Sequence, residues 1–390
     1  MSLISSRNLV SVTIVVAAIV AALEGVPPAS AQKSPSPDSP LPPPNFMVTG
    51  TVGCTAGISP PCSIGTATGT QLQLSSCLSG GVTGTTCWGL NISGCPNPAT
   101  LPYDATVKVT SPTVASIGTI IFLSGATGVQ FYDQEFGSAA VSMINSLVSA
   151  GYTAVQIMYD NTVAGWLTGP ATDGPLDLAC LPSTSMQWVH DHILGSGTPL
   201  CATGNSGGSQ QIAYALSQYG LGSGTTSIFT MAEATSGPEL SRMDYGCAPA
   251  GKYTACAICG FGKHQESYGL TIAETGIDPA YTGKVTTTPD SSDPCSYDYL
   301  NHMTWATQLH HDSILSDVYP PPPSFSTDIH FAFGGADAHS PAIPEGLDWA
   351  SFITSATAIV CVPTGNHELP STSAGAARIE SDLTTYCKLP

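Results

Sequence analysis

Positive charge is what this sequence has least of. Among 390 residues there are 9 lysines and arginines against 27 aspartates and glutamates, a formal charge of −18. Arg7, Arg242 and Arg378 are the only arginines, and the few lysines are scattered. Phosphate backbones are held by clustered cationic side chains, so nucleic acid is excluded as a partner. Anionic lipid surfaces and polyanionic substrates are repelled for the same reason. Charge of either sign is scarce, at 9% of residues against roughly 25% in an ordinary soluble domain. Long apolar runs are missing beyond the first 31 residues, so no membrane span is expected downstream. Glycine (40) and proline (32) are abundant, which predicts many turns. Hydrophobic residues make up 42%, enough for a sizeable core in one large domain or two smaller ones.

The start of the chain has its own pattern. Arg7 supplies a positive end, Leu9 to Leu23 is apolar apart from Ser11 and Thr13, and Ala29-Ser30-Ala31 fits a small-residue cleavage site. Residues 1–31 are therefore expected to be a secretory signal peptide, giving an extracellular or periplasmic protein with no stable membrane insertion after cleavage. All 13 cysteines, from Cys54 to Cys387, lie downstream of it. In an oxidising compartment these read as disulfides, and their odd number leaves at least one free or paired between chains. Cys256-Ala257-Ile258-Cys259 could form a redox pair, or a zinc site with His264, but its context favours a structural role. Asn91-Ile92-Ser93 is a glycosylation sequon.

Residues 32–50 form a flexible proline-rich lead. Residues 51–117 read as a cysteine-rich antiparallel portion, with short strands at Leu72–Leu74, Cys87–Leu90 and Ala105–Val109. From Gly118 the pattern becomes an alternation of strands and helices. Strands are predicted at Thr119–Leu123, Tyr152–Met158, Pro199–Thr203 and Ser227–Met231, and helices at Phe136–Val148, Ser185–Leu194 and Ser209–Tyr219. Such alternation implies a mostly parallel sheet flanked by helices, an α/β class fold. Residues 118–241 form the first part of this core. Residues 242–324 break the rhythm and are too long for a bare loop, so they read as an inserted cap or lid. The core resumes over 325–390 with a strand at Asp328–Phe333, a helix around Trp349–Ala356, a strand at Ala358–Val362 and a last helix ending near Thr384.

Gly204-Asn205-Ser206-Gly207-Gly208 matches G-x-S-x-G, preceded by an apolar strand and followed by an amphipathic helix. A tight strand-to-helix bend throws the serine hydroxyl out above the sheet edge, and small neighbours permit the close approach. A serine needs a base and an acid to orient it. Asp337 follows the strand ending at Phe333 and His367 follows the next strand, so both fall at strand C-termini, where sites on open sheets gather. His339 lies too close to Asp337, while His310, His311 and Asp312 belong to the insertion, and His190 and His192 to a helix. Asp328 begins its strand at the wrong end, and Glu368 neighbours the histidine it would have to orient. Oxyanion donors should be backbone amides: Gly207, and Gly125 or Ala126 in the loop Ser124–Gly128.

With these motifs in order, the chain from about Thr119 to Tyr386 resembles the alpha/beta-hydrolase superfamily, as a secreted, esterase- or lipase-like member. The resemblance implies an alpha/beta-hydrolase fold with Ser206 as nucleophile, Asp337 as acid and His367 as base, working through an acyl-enzyme. The oxyanion loop has no His-Gly-Gly-Gly stretch, and Asn205 stands where His, Tyr, Glu or Asp is more usual. The expected activity is hydrolysis of a neutral carboxylic ester, polymeric or aromatic, with water as co-substrate. The scheme calls for no metal or organic cofactor, and a monomer is the default. Competing expectations are a secreted serine peptidase and a disulfide-stapled binding module without catalysis.

Overall fold

A computed structural model describes residues 62–389, apart from 78–80, 97–101, 160–164, 169–173, 225–226, 250–253, 258–262, 266, 323, 338–340 and 355. The signal peptide, the proline-rich lead, Cys54, His339 and the Cys256–Cys259–His264 side chains lie outside that description.

Among the described residues, nine strands form one sheet: β1 (Thr66–Leu72), β2 (Thr86–Ser93), β3 (Ala105–Thr110), β4 (Gly118–Leu123), β5 (Tyr152–Tyr159), β6 (Leu200–Asn205), β7 (Met231–Thr235), β10 (Asp328–Gly334) and β11 (Ala356–Val362). A separate hairpin pairs β8 (Thr254–Ala257) with β9 (Lys263–Gln265). The large sheet runs β1-β2-β3-β5-β4-β6-β7-β10-β11. β3 is antiparallel to both β2 and β5, and every pairing from β5 to β11 is parallel. Setting aside β1, this is an eight-stranded sheet with one reversed strand, β3, and one exchange of order, β5 before β4. That is the topology of the alpha/beta-hydrolase fold.

The central strands follow from their composition. Every residue of β4 and β6 is buried, as continuous apolar runs require when helices cover both faces of a parallel sheet. Ile120 and Phe122 of β4 pack with Ile144 and Leu147 of the helix Tyr132–Ser149 and with Ile379 and Leu383 of the helix Ser373–Tyr386. Ile121 and Leu123 face the other way, into a core shared with the helices Cys180–His192, Gly207–Ser217 and Ala342–Phe352.

The strand expected at Leu72–Leu74 is instead the end of β1 followed by a 3-10 turn over Leu74–Cys77, and two later elements also depart from expectation. The strand expected at Ser227–Met231 instead spans Met231–Thr235, where a fully buried carboxyl group, Glu233, interrupts the apolar pattern. The helix expected around Trp349–Ala356 runs Ala342–Phe352, because Ile353 turns extended (ψ 126°) and leads towards β11. The cysteine-rich start provides the first hairpin of the main sheet. Disulfides join Cys77–Cys87, Cys95–Cys180, Cys201–Cys387 and Cys247–Cys295, and Cys62 and Cys361 are disulfide-bonded as well. The Cys201–Cys387 bond closes 186 residues of chain, the kind of link that stabilises by about 2–5 kcal/mol.

The stretch between β7 and β10 is built of short helices such as Pro279–Thr282, Pro294–Tyr299 and Ala306–His311. It is tied to the core by buried hydrogen bonds. Tyr214 Oη donates to Asp312 O at 2.6 Å, and Gln218 Nε2 donates to Ile314 O at 2.8 Å and to Tyr319 O at 2.9 Å. No helix among the described residues is long and apolar enough to cross a membrane.

Candidate active site

Ser206 stands alone between the end of β6 and the first turn of the helix Gly207–Ser217, at φ 51° and ψ −115°. Side chains rarely adopt this backbone conformation, and here the neighbours hold it. The Ser206 amide donates to Thr235 O of the adjacent strand at 2.9 Å. A Cβ on Gly208 would lie 2.1 Å from Leu123 O, and one on Gly207 would lie 1.7 Å from Ala126 O. The two glycines therefore let the loop after β4 rest directly against the bend.

Asp337 and His367 come from the loops after β10 and β11, at the same sheet edge. Those loops are laced together: the Gly335 amide donates to Val362 O and the Ala336 amide to Gly365 O, both at 2.8 Å. The Asp337 side chain is fully buried, and its Oδ2 is 3.1 Å from His367 Nδ1. Asn205 has a positional role. Its Nδ2 donates to His367 O at 3.2 Å, while its Oδ1 accepts from Thr235 Oγ1 at 2.9 Å. An amide at this position thus joins the histidine loop to the serine bend, which a carboxylate could not do with a carbonyl oxygen.

The sequence reading misses Glu239. Its Oε2 accepts from Ser206 Oγ at 3.3 Å and from Gln210 Nε2 at 3.3 Å, and its Oε1 is 3.6 Å from His367 Nε2. A carboxylate thus touches both the serine and the imidazole. Burial pulls the His367 pKa down, but the hydrogen bond to Asp337 and the charges of Glu239, Asp337 and Glu368 outweigh it and raise the value to about 9. The signal that could have exposed Glu239 is its place four residues beyond the true end of β7, at the sheet edge that carries the other loops.

The loop after β4 corrects one expectation. The Gly125 amide is already engaged by Glu135 Oε2 at 2.7 Å, so it is not free to meet an oxyanion. The amides of Ala126 and Gly207 have no hydrogen-bond acceptor among the described residues, and Ala126, at φ 43°, lies against Gly207. Glu135 holds the loop in place. Burial chiefly, with the nearby Glu368 charge, pushes its carboxyl up to about 7 despite the bond from Gly125.

These groups share a cavity of about 410 Å³. Ser206, Gly207, Glu239 and His367 line it, together with Tyr268, Ile272 and Ile277 from the stretch between β7 and β10. Among the described residues, other histidines are engaged elsewhere: His190 with Asp191 at 2.7 Å, and His311 with Asp317 at 3.4 Å, near which His310 also lies. His192 Nδ1 is 3.0 Å from Trp188 O. Asp328 pairs with His330 at 3.2 Å, and Asp312 accepts from Tyr281 and Gln308.

No family model matches the sequence, and no curated protein matches it. Solved structures similar to it include a truncated carbohydrate esterase from gut microbiota, at 14% identity and a TM-score of 0.47 over 78% of this chain and 97% of that one. A thermostable carboxyl esterase from Bacillus coagulans, in complex with glycerol, is 13% identical with a TM-score of 0.43, over 83% of this chain and 99% of that one. An acylaminoacyl peptidase of Pyrococcus horikoshii is 10% identical with a TM-score of 0.41 over 73% of this chain, which spans 40% of that protein's length.

Proposed function

We propose that the protein is a secreted carboxylic-ester hydrolase that works through a covalent acyl-serine, with Ser206 as nucleophile, His367 as base and Asp337 as the group that orients it. The reading is carried by one observation: a serine in a strained strand-to-helix bend shares a cavity with an imidazole whose far nitrogen is held by a buried carboxylate. In this scheme Ser206 Oγ turns from Glu239 to neutral His367, gives Nε2 its proton and attacks the ester carbonyl. Asp337 fixes the tautomer through Nδ1–H. The oxyanion is met by the amides of Gly207 and Ala126. The imidazolium then protonates the leaving alcohol, and water, deprotonated by the same nitrogen, releases the acid.

The test is turnover of short p-nitrophenyl esters together with titration by an organophosphorus fluoride. Expected are hydrolysis, its stoichiometric loss, and an adduct mass on the peptide containing Ser206. No turnover, an adduct on another residue, or faster cleavage of the matched p-nitroanilide overturns the assignment.

A pH dependence follows from the charges around the imidazole. His367 binds its proton up to about pH 9 in the free protein, and only its neutral form can accept the serine proton. For a neutral ester, kcat/KM should therefore climb about tenfold per pH unit below that point and level off above it. A pH–rate profile checks this, and a profile already flat between pH 6 and 9 contradicts it.

A further inference from the structure

The loop that carries the Ala126 amide does little by its composition to fix that amide. Residues 124–128 read Ser-Gly-Ala-Thr-Gly, and Ala126 itself is left-handed at φ 43°. Glycine permits many backbone conformations, and a side chain at positive φ is disfavoured. An oxyanion donor is effective when it is aimed before the charge develops, so this segment needs external support. The position to be held is set by the serine bend. A Cβ on Gly207 would lie 2.9 Å from the Ala126 nitrogen, which places the two amides side by side.

The support is a set of hydrogen bonds. Ser124 Oγ donates to Gln130 O at 2.6 Å, and the Trp166 amide donates to Thr127 O at 3.1 Å. The Ala126 N–H shares a rigid peptide plane with the Gly125 carbonyl, and that carbonyl accepts from the Gly128 amide at 3.0 Å. Residue 125 is thus held on its carbonyl side by the turn. On its nitrogen side it is held by Glu135 Oε2 at 2.7 Å. Glu135 stands in the first turn of the helix Tyr132–Ser149, an element with its own packing in the core. Its other oxygen also lies against the glycine, since a Cβ on Gly125 would be 2.7 Å from Oε1. Both Glu135 and Ala126 line the cavity.

We propose that Glu135 is a positioning residue for the oxyanion hole. By accepting from the Gly125 amide it fixes the peptide plane that points the Ala126 N–H at the developing charge. The proposal rests on the ester-hydrolase reading and deepens it. The role asks for an acceptor oxygen at a set reach, which the carboxyl group offers in either protonation state. It does not ask for a negative charge, which so close to an oxyanion would oppose it.

Three substitutions separate reach from charge. Glu135→Gln keeps an acceptor oxygen at the same reach without the charge, Glu135→Asp keeps the charge and draws the oxygen back by one methylene, and Glu135→Ala removes both. Rates are compared on the alkaline plateau of the pH profile, where a shift in the His367 proton no longer counts. Loss of a whole donor costs about 10²–10³ in kcat, so Glu135→Ala and Glu135→Asp should lower kcat for a p-nitrophenyl ester at least tenfold. KM should stay within about threefold, because the contact strengthens only in the transition state. Glu135→Gln should stand at least fivefold above Glu135→Ala. A trifluoromethyl ketone gives a second readout. Its carbonyl carbon bonds to Ser206 Oγ, the serine proton passes to His367, and the carbonyl oxygen becomes the oxyanion. Its inhibition constant should weaken in Glu135→Ala and Glu135→Asp by about their loss in kcat/KM. A loss below tenfold in Glu135→Ala, a loss confined to KM, or Glu135→Gln as slow as Glu135→Ala overturns the proposal and leaves ester hydrolysis standing. Should Glu135→Ala fail to fold by circular dichroism, Glu135→Asp against Glu135→Gln decides, and equal rates overturn the proposal. Absence of Ser206-dependent hydrolysis by the wild type overturns the underlying reading and the inference together.

Discussion

Replacing Ser206 by alanine is expected to lower kcat for any ester this protein cleaves by roughly 10⁵-fold, with a residue of catalysis left by the two amides and by binding. Two features make the result interpretable. The backbone at position 206 is held by its own amide bond to Thr235 O, which alanine keeps. The hydroxyl makes a 3.3 Å bond to Glu239, and on its loss that carboxylate keeps the bond from Gln210 Nε2 and partial contact with solvent. The melting temperature should accordingly move by only a few degrees. Initial rates with p-nitrophenyl esters and a thermal melt by circular dichroism check both halves. Activity within tenfold of the wild type would mean that another residue makes the acyl bond.

The second large effect concerns stability. Lys108 of β3 lies in the sheet interior with 1% of its side chain exposed, and Nζ binds both carboxylate oxygens of Asp133 at 2.9 and 2.7 Å. The same carboxylate accepts from the Val82 amide at 2.7 Å and from Gln156 Nε2 at 3.1 Å. Burial lowers the Lys108 pKa, and the bond to Asp133 works against that shift. Asp133→Ala strands a cation and two further donors, and should cost about 3–5 kcal/mol of unfolding free energy. Adding Lys108→Met removes the stranded charge and should restore part of the loss. Urea or thermal unfolding of the single and double variants measures it. A double variant no more stable than Asp133→Ala would show that the charge is not the source of the cost.

How much of this the sequence announces depends on what each residue faces. Thr119–Leu123 and Leu200–Thr203 declare their strands because both sides of the sheet are covered, so no polar residue is needed for solvent. β7 hides because Glu233 stays inside it, bonded by Thr203 Oγ1 at 3.2 Å, with its pKa raised by burial and by the neighbouring Asp382. A carboxyl group in a strand reads as exposed until its partners are known. Misplacing that strand end also conceals Glu239, since only the register of β7 brings it to the edge where Ser206 and His367 emerge. The order of Ser206, Asp337 and His367 can be read by counting strands, as loops at one sheet edge converge. Which amide in Ser124–Gly128 is spare cannot be read so, because it turns on a single bond from Gly125 to a glutamate ten residues ahead.

Among the described residues, the cavity draws its reactive groups from loops of the sheet, but Tyr268, Ile272 and Ile277 from a segment fastened by its own Cys247–Cys295 bond. Part of the cavity wall is thus encoded in a stretch of the chain separate from Ser206, Asp337 and His367. On the proposed ester-hydrolase reading, drift in residues 268–277 would retune the size and shape of the accepted group without touching the residues assigned to bond breaking, a path by which one scaffold diversifies its diet.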